Sequence, residues 1–325
     1  MRAARHDPLR RYLEVDARVA TALAQCEPVV ALESSVVAAG LPYPQNLDAA
    51  RASEAAVRAE GACPATIGLI GGRIKVGLAP AELEMFARAD DVPKASRRDI
   101  PYLLATGQHG ATTVAATLIA ARLAGIAVFA TGGIGGVHRL WQDTLDVSAD
   151  LEELARTNVA VVCAGAKAIL DLPATLEYLE TRGVPVLGYG TDEFPAFYTR
   201  ESGLRLDQRV DTPEAAAAVI HAKWALGLEG GIVIANPIPA SVAMERSALE
   251  GHIEAALEAA RDQGIAGKDL TPFLLDRIAE SSGGASLRAN LALLENNAHI
   301  AARIARAYAA SSAERAPHAA PSTGG

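Results

Sequence analysis

Short β-branched runs alternate along this chain with longer alanine-rich segments, and that alternation constrains the fold more than any other feature. Residues 28–32, 102–105, 126–130, 159–163, 184–187 and 232–235 read as buried strands, each a brief apolar run bounded by turn-forming or polar residues. The segments 47–60, 111–123, 173–181 and 212–226 read as helices. In the last of these Thr212 is placed to cap, Pro213 occupies the first turn and Glu214 follows it. Gly71-Gly72 between two alternating runs predicts a hairpin over 66–78, and 247–310 predicts mostly helix. This order of elements predicts an α/β protein with a mainly parallel central sheet and helices on both faces. Ligands then belong beyond the carboxyl ends of the strands.

Composition supports that reading and removes several partners. Half of the 325 residues are hydrophobic but only 4% are aromatic, so Ala, Val, Leu and Ile fill the core, as suits helices packed on a buried sheet. With 30 basic against 38 acidic residues the net charge is −8, which argues against a broad nucleic-acid or anionic-membrane surface while leaving room for a local phosphate pocket. Cys26, Cys63 and Cys163 stand far apart with no CxxC spacing, and the cytoplasm is the expected compartment. Residues 110–133 are the most membrane-like stretch, but Arg122, four threonines and Gly125 divide it into a helix and a strand, so no membrane span is expected. Residues 1–11 read as a charged extension without the apolar core of a signal peptide, 12–308 as a single folded domain, and 309–325 as a disordered tail.

The residues just after each strand carry the chemistry. Glu33 follows 28–32, where partial desolvation favours the protonated carboxyl and suits general acid work; a capping or salt-bridged glutamate is the alternative. Lys167 follows 159–163 after Ala164-Gly165-Ala166 and is expected to begin the next helix with its amine over the sheet edge. It is either a Schiff-base nucleophile or an ordinary solvated lysine. The loop Thr131-Gly132-Gly133-Ile134-Gly135-Gly136-Val137-His138-Arg139 is a candidate phosphate cradle, since glycines let amides converge on an anion and Thr131, His138 and Arg139 add donors; it otherwise makes a tight structural turn. It fits neither a dinucleotide fingerprint nor a Walker loop. Of Asp143, Asp146 and Asp150, Asp146 with waters would suffice for magnesium or manganese, while Ser148 is placed to cap a short helix from Ala149. Lys94 stands in a basic run, Pro93-Lys94-Ala95-Ser96-Arg97-Arg98-Asp99, that is either a pocket or a solvated surface.

Several ordered segments together resemble the pseudouridine-5'-phosphate glycosidase family, also described as indigoidine synthase A-like. They are Ala31-Leu32-Glu33-Ser34, Pro42-Tyr43-Pro44-Gln45-Asn46, Lys94 before Ser96-Arg97-Arg98-Asp99, Gly110-Ala111-Thr112-Thr113-Val114, Phe129 through His138, and Asp146 through Asp150. Val162 through Lys167, Thr191 through Tyr198, Ala235-Asn236-Pro237-Ile238-Pro239, Gly267-Lys268, Thr271 through Leu275, and Leu287 through Asn297 complete the match. The sequence departs from the pattern at Ala39, where a histidine is expected, at Ser35 for threonine, and at Leu140-Trp141 for a smaller pair.

The resemblance implies a three-layer α/β/α fold and a homotrimer. It implies reversible cleavage of pseudouridine 5'-phosphate to uracil and ribose 5-phosphate with Mn2+ or another divalent cation such as Mg2+. It implies Glu33 as proton donor, Lys167 as nucleophile and Asp146 as metal ligand. Lys94, Val114, Ser148, Ala149 and Asp150 fall at substrate-binding positions, and Asn290 at the group that reads the uracil edge. The residues alone leave two other readings open: a Schiff-base aldolase acting on a sugar phosphate, and a non-catalytic sugar-phosphate sensor.

Overall fold

The computed structural model describes residues 9–89, 91–139, 141–265 and 270–315. Its strands are β1 (Leu13–Val15), β2 (Val29–Leu32), β3 (Cys63–Ile70), β4 (Arg73–Val76), β5 (Lys94–Ala95), β6 (Gly110–Thr112) and β7 (Val128–Ala130). They continue with β8 (Val137–His138), β9 (Ala160–Cys163), β10 (Leu170–Asp171), β11 (Val186–Tyr189), β12 (Gln208–Val210) and β13 (Ile232–Ala235). The helices are α1 (Leu9–Tyr12), α2 (Ala17–Ala24), α3 (Ser35–Ala39), α4 (Gln45–Ala59), α5 (Pro80–Arg88), α6 (Ile100–Thr106) and α7 (Val114–Ala124). After them come α8 (Trp141–Thr144), α9 (Ala149–Leu154), α10 (Leu172–Thr181), α11 (Pro213–Ala225), α12 (Arg246–Asp262), α13 (Leu270–Ser281) and α14 (Ala285–Arg315).

Most strands join one sheet in the order β1-β4-β3-β2-β7-β9-β13-β11-β12, with β6 pairing on β3 and β5 on β6. From β3 through β12 every pair on this path is parallel, and β3 with β4 is the expected antiparallel hairpin. The pleat sends alternate residues to opposite faces, and both faces are covered. Val29, Ala31, Phe129, Val161, Cys163, Val233 and Ala235 enter one core with Leu118 of α7, Leu151 of α9 and Ile253 of α12. Val30, Leu32, Val128, Ala130, Ala160, Val162, Ile232 and Ile234 enter the other with Val57 of α4, Ile220 of α11 and Ile304 of α14. This is the three-layer α/β/α arrangement, and it explains why the strands read as continuous apolar runs rather than alternating ones.

Local signals account for the helix ends. Thr113 caps α7 and Gly125 closes it at a φ of 82°, in the left-handed region that glycine enters without a side-chain penalty. Ser148 caps α9 and Thr212 caps α11, both as expected.

Four expectations are corrected. Residues 102–105 lie inside α6, not in a strand: Pro101 opens that helix, Gly107 closes it at φ 71°, and Ile100 and Leu103 bury its inner face at helical spacing. The helix expected from 111 begins at Val114, because Gly110–Thr112 is claimed by the sheet as β6. Lys167 stands in a loop before β10, so it does not begin a helix. Finally, α14 runs to Arg315, past the expected domain boundary at 308. Its Ala309-Ala310 favour helix, and the Ser311 hydroxyl donates back to the carbonyl of Ala307 at 3.0 Å. The remainder of the tail, 316–325, and Gly267-Lys268 and Leu140 lie outside the described residues.

Candidate active site

Four neighbouring parallel strands deliver the site. β2, β7, β9 and β13 stand in that order in the sheet, and their carboxyl ends lead into Glu33, Thr131, Ala164 through Lys167, and Asn236. The paired register of Leu32 with Ala130, and of Ala130 with Val162, ends these strands at one level, so the residues that follow converge.

Glu33 is the centre of the arrangement. Ser35 donates its hydroxyl to one carboxylate oxygen and Thr131 donates to the other. Burial pushes the Glu33 carboxyl above its ordinary value; the charge of Lys167 and the two hydroxyls pull against that rise, and Asp150 adds to it. A carboxyl held this way is suited to carry a proton into a reaction. A cavity of about 20 Å³ lined by Glu33, Thr131, Ser53 and Thr66 lies beside the acid.

Lys167 is held by two loops that extend the β7–β9 pairing beyond the sheet. Ile134 N–H donates to the Gly165 carbonyl and Lys167 N–H donates to the Ile134 carbonyl, each at 3.1 Å. Gly165 has φ 78°, and a Cβ there would overlap the Pro195 carbonyl oxygen, so only glycine fits this turn. Phe197 N–H then donates to the Ala164 carbonyl at 2.9 Å, with Phe197 itself at φ 61°, an uncommon conformation for a bulky residue. The charge of Lys167 reaches both Glu33 and His138.

Several amides of the glycine loop are bonded within the protein: Gly135 N–H donates to the Asp150 carboxylate at 2.9 Å, Val137 N–H to the Thr175 hydroxyl at 2.9 Å, and His138 N–H to the Asp146 carbonyl at 3.0 Å. The Thr131 hydroxyl faces Glu33, and Arg139 donates to Glu250 at 3.2 Å rather than standing ready for an anion. A cavity of about 310 Å³ next to Arg139 and Ala168 has Asp171, Arg246 and Glu250 in its wall, but not Glu33, Lys167 or Asp146.

The three aspartates separate by role. Asp150 is buried and accepts from the amides of Ala115 at 2.9 Å and Gly135 at 2.9 Å, which ties the start of α7 to the glycine loop. Asp143 is exposed on α8. Asp146 is partly exposed, with its carboxylate 3.7 Å from the His138 ring. Burial lowers the His138 imidazole below its ordinary value; Asp146 opposes that shift and Lys167 adds to it. Among the described residues no group of three or more His, Cys, Asp or Glu side chains is assembled for a metal. The hard oxygens of Asp146 alone fit a divalent ion that keeps most of its water, as magnesium and manganese do.

The other expected positions are placed by their own elements. Lys94 pairs with Ala111 on β5, beside the first turn of α7 where Val114 is buried, and its charge acts on Asp276 of α13. Ser148 donates its N–H to the Gly136 carbonyl at 3.0 Å, and Ala149 is exposed at the start of α9. Asn290 is buried on α14 seven residues before Asn297, hence on the same helix face. Ser35, where the pattern expects threonine, keeps the hydroxyl that Glu33 uses. The roles of Asn236 and Asn297 were not assigned from sequence, although both lie in the quoted segments; an asparagine gives no local sign of what it will bond.

The fold defines the class: a three-layer α/β/α protein that sets an acid and a lysine beyond the carboxyl ends of its parallel strands. The sequence profile described as "Indigoidine synthase A like protein" matches residues 18–307. The chain is 58% identical over 297 residues to the pseudouridine-5'-phosphate glycosidase of Caldanaerobacter subterraneus subsp. tengcongensis, covering 91% of this chain and 97% of the relative. It is 54% identical over 297 residues to the enzyme of the same name from Staphylococcus aureus, with the same shares covered. Among solved structures, the prealnumycin C-glycosynthase AlnA in complex with ribulose 5-phosphate superposes with a TM-score of 0.87 at 44% identity, over 94% of this chain and 99% of that one. An indigoidine synthase A-like protein from Thermotoga maritima gives 0.83 at 35% identity, over 92% and 97%. The chain belongs to the indigoidine synthase A-like family.

Proposed function

We propose that this chain is a pseudouridine-5'-phosphate glycosidase, reversibly breaking the C–C bond between C1' of the sugar and C5 of uracil. The observation that carries the reading is the pairing, at the ends of β2 and β9 on either side of β7, of a carboxyl biased toward its acid form with a lysine whose charge it feels. The identity of 58% to a glycosidase over 91% of the chain supports the substrate.

The chemistry needs those two groups because the leaving atom is carbon. A glycosidase with an oxygen leaving group protonates that oxygen and works through an oxocarbenium ion. Here Glu33 gives its proton to the ring oxygen as the bond from C1' to that oxygen breaks. The Lys167 amine, having lost its proton, adds to C1'. Its lone pair then forms the C=N bond as C1'–C5 breaks and C5 takes a proton, freeing uracil. Water adds to the iminium carbon, restoring the amine and releasing ribose 5-phosphate. Positioned proton transfer contributes roughly 10²- to 10⁴-fold, and the covalent intermediate divides one high barrier into lower ones.

Lys94 and the start of α7 at Val114 would anchor the phosphate, whose binding energy helps hold the opened sugar. Thr131, His138, Ser148, Ala149 and Asp150 would border the sugar and phosphate, and Asn290 the uracil edge. Asp146 would hold Mn2+ or Mg2+ with waters, supplying positive charge close to the anionic substrate. A homotrimer in the cytoplasm belongs to the same reading, with Cys26, Cys63 and Cys163 all free thiols; light scattering measures the assembly.

The test is uracil release from pseudouridine 5'-phosphate, followed by ultraviolet absorbance, together with borohydride reduction in the presence of ribose 5-phosphate and mass mapping of the adduct. Turnover of ribose or deoxyribose phosphates without uracil would favour an aldolase, and ligand binding with no turnover a sensor. A second reading, C-glycoside formation on another aromatic, is favoured by the 44% identity to the C-glycosynthase. It predicts slow uracil release and faster coupling of ribose 5-phosphate to other carbon nucleophiles.

A further inference from the structure

We propose that Asn297 is a positioning residue for the acid, setting Glu33 through Thr131. Asn297 lies on α14 with no exposed surface. Its side-chain N–H groups donate to the carbonyls of Thr131 at 2.8 Å and Gly132 at 3.3 Å, and its oxygen accepts from the Asn236 amide at 2.9 Å. Carbonyls only accept, so both ends of the Asn297 amide are assigned without ambiguity, and Asn236 must be the donor in the pair. Asn236 is itself anchored by donating its backbone N–H to the Cys163 carbonyl at 2.8 Å. The chain of bonds therefore begins at the ends of β9 and β13, passes through Asn297 and arrives at the peptide that carries Thr131.

At that peptide the geometry is closed from both sides. Thr131 N–H donates to the Val162 carbonyl at 3.0 Å, and its carbonyl accepts from Asn297. With the backbone held and a β-branched side chain restricted at its first torsion, the Thr131 hydroxyl has few directions open to it, and in this structure it lies on Glu33. A Cβ at Gly132 would stand 3.1 Å from Leu293 and 3.3 Å from Leu294, so α14 also seats closely on this turn. A buried asparagine that satisfies two carbonyls of a loop specifies that loop more tightly than an apolar residue could, because each unmade bond would leave a desolvated polar group. The groups facing Glu33 are Lys167, Asp150, Ser35 and Thr131; Asn297 touches only the last of them.

This inference rests on the reading of Glu33 as the acid that opens the sugar ring. Two aldehyde probes separate that step from the chemistry of the lysine. Ribose 5-phosphate closes into a furanose and must open before an amine can add, whereas erythrose 4-phosphate has no free hydroxyl placed to close such a ring. In Asn297→Leu, borohydride capture of ribose 5-phosphate and uracil release should fall about 30-fold or more, while capture of erythrose 4-phosphate stays within about twofold. Removing the ordered hydroxyl also moves the alkaline limb of kcat/KM to higher pH, since the hydroxyl favours the carboxylate. In a Thr131→Val background, Asn297→Leu should cost little further activity, because both changes remove one pathway. Equal losses of both probes, an unmoved pH limb, or additive effects with Thr131→Val would overturn the proposal. If Asn297→Leu does not fold, Asn297→Gln and Asn236→Ala carry the same measurements, and an unchanged probe ratio in both overturns it. A wild type that captures both aldehydes but releases no uracil would refute the glycosidase reading, leaving the probe ratio to decide on Asn297.

Discussion

Thr131 donates its hydroxyl to Glu33 across two neighbouring parallel strands, joining residues 98 positions apart. The bond steadies a buried acid without supplying a full charge, and it makes the start of the glycine loop part of the acid's environment.

Thr131→Val keeps the shape of the side chain and removes that bond. A hydrogen bond to a group that ionises is worth about 1.5–3 kcal/mol, so uracil release should fall roughly 10- to 100-fold with little change in melting temperature. Steady-state kinetics beside calorimetry would check it, and activity within twofold of wild type would count against the role.

Glu33→Gln should separate activity from stability. The Glu33 carboxyl is raised in the folded state above its ordinary 4.5, so the fold binds its proton more tightly than the unfolded chain does. Its contribution to stability is then full below about pH 4.5 and declines as pH rises through the folded value. Wild type should lose stability relative to the glutamine variant as pH rises above about 4.5, read as a fall in its melting temperature relative to that of the variant. A gap that does not change with pH would mean the carboxyl is not held in its acid form. Uracil release by the variant should fall by 10² or more.

Gly165→Ala should disable the enzyme more than an ordinary glycine replacement. The new Cβ would meet the Pro195 carbonyl and the residue would sit at φ 78°, whereas at Gly183, φ 68°, it meets open space. The backbone conformation alone costs about 1–2 kcal/mol in either variant, and the overlap adds to it only at 165, displacing Lys167. Thermal melts of both variants together with borohydride capture give the comparison; similar behaviour of the two would contradict the packing argument.

Lys167→Ala and Lys167→Arg should both abolish capture of ribose 5-phosphate, because a guanidinium stays charged and forms no imine. Ribose 5-phosphate should still bind to either variant by calorimetry. Mass mapping to another lysine would move the nucleophile elsewhere.

Asp146→Asn and Asp150→Asn should fail in different ways. The first should lose activation by added Mn2+ while melting like wild type. The second loses one of two amide acceptors in a buried position, which costs about 1–3 kcal/mol and loosens the glycine loop, yet should retain its response to metal. Identical metal titrations for the two variants would remove Asp146 from the ion site.

Much of this molecule is visible in residue order alone. The six-strand reading placed β2, β7, β9, β11 and β13 within a few residues, because parallel strands buried on both faces must be short apolar runs. It failed at 102–105, where an equally apolar run became α6; only the flanking Pro101 and Gly107 distinguished the two. The strand-end rule also drew attention to Glu33 and Lys167, and the structure places both just beyond β2 and β9. What residue order did not reveal is which partner each polar group takes. The glycine loop has the composition of an anion cradle, and residue order did not show that Asp150, Thr175 and Asp146, from later parts of the chain, take the amides of Gly135, Val137 and His138. Asn297 reaches Thr131 from 166 residues away. Alternation and caps are local, written in neighbours a few residues apart, and so survive in a one-dimensional reading. A buried hydrogen bond depends on which distant strand ends come together, and that follows only once the sheet order has brought β2, β7, β9 and β13 side by side under α14.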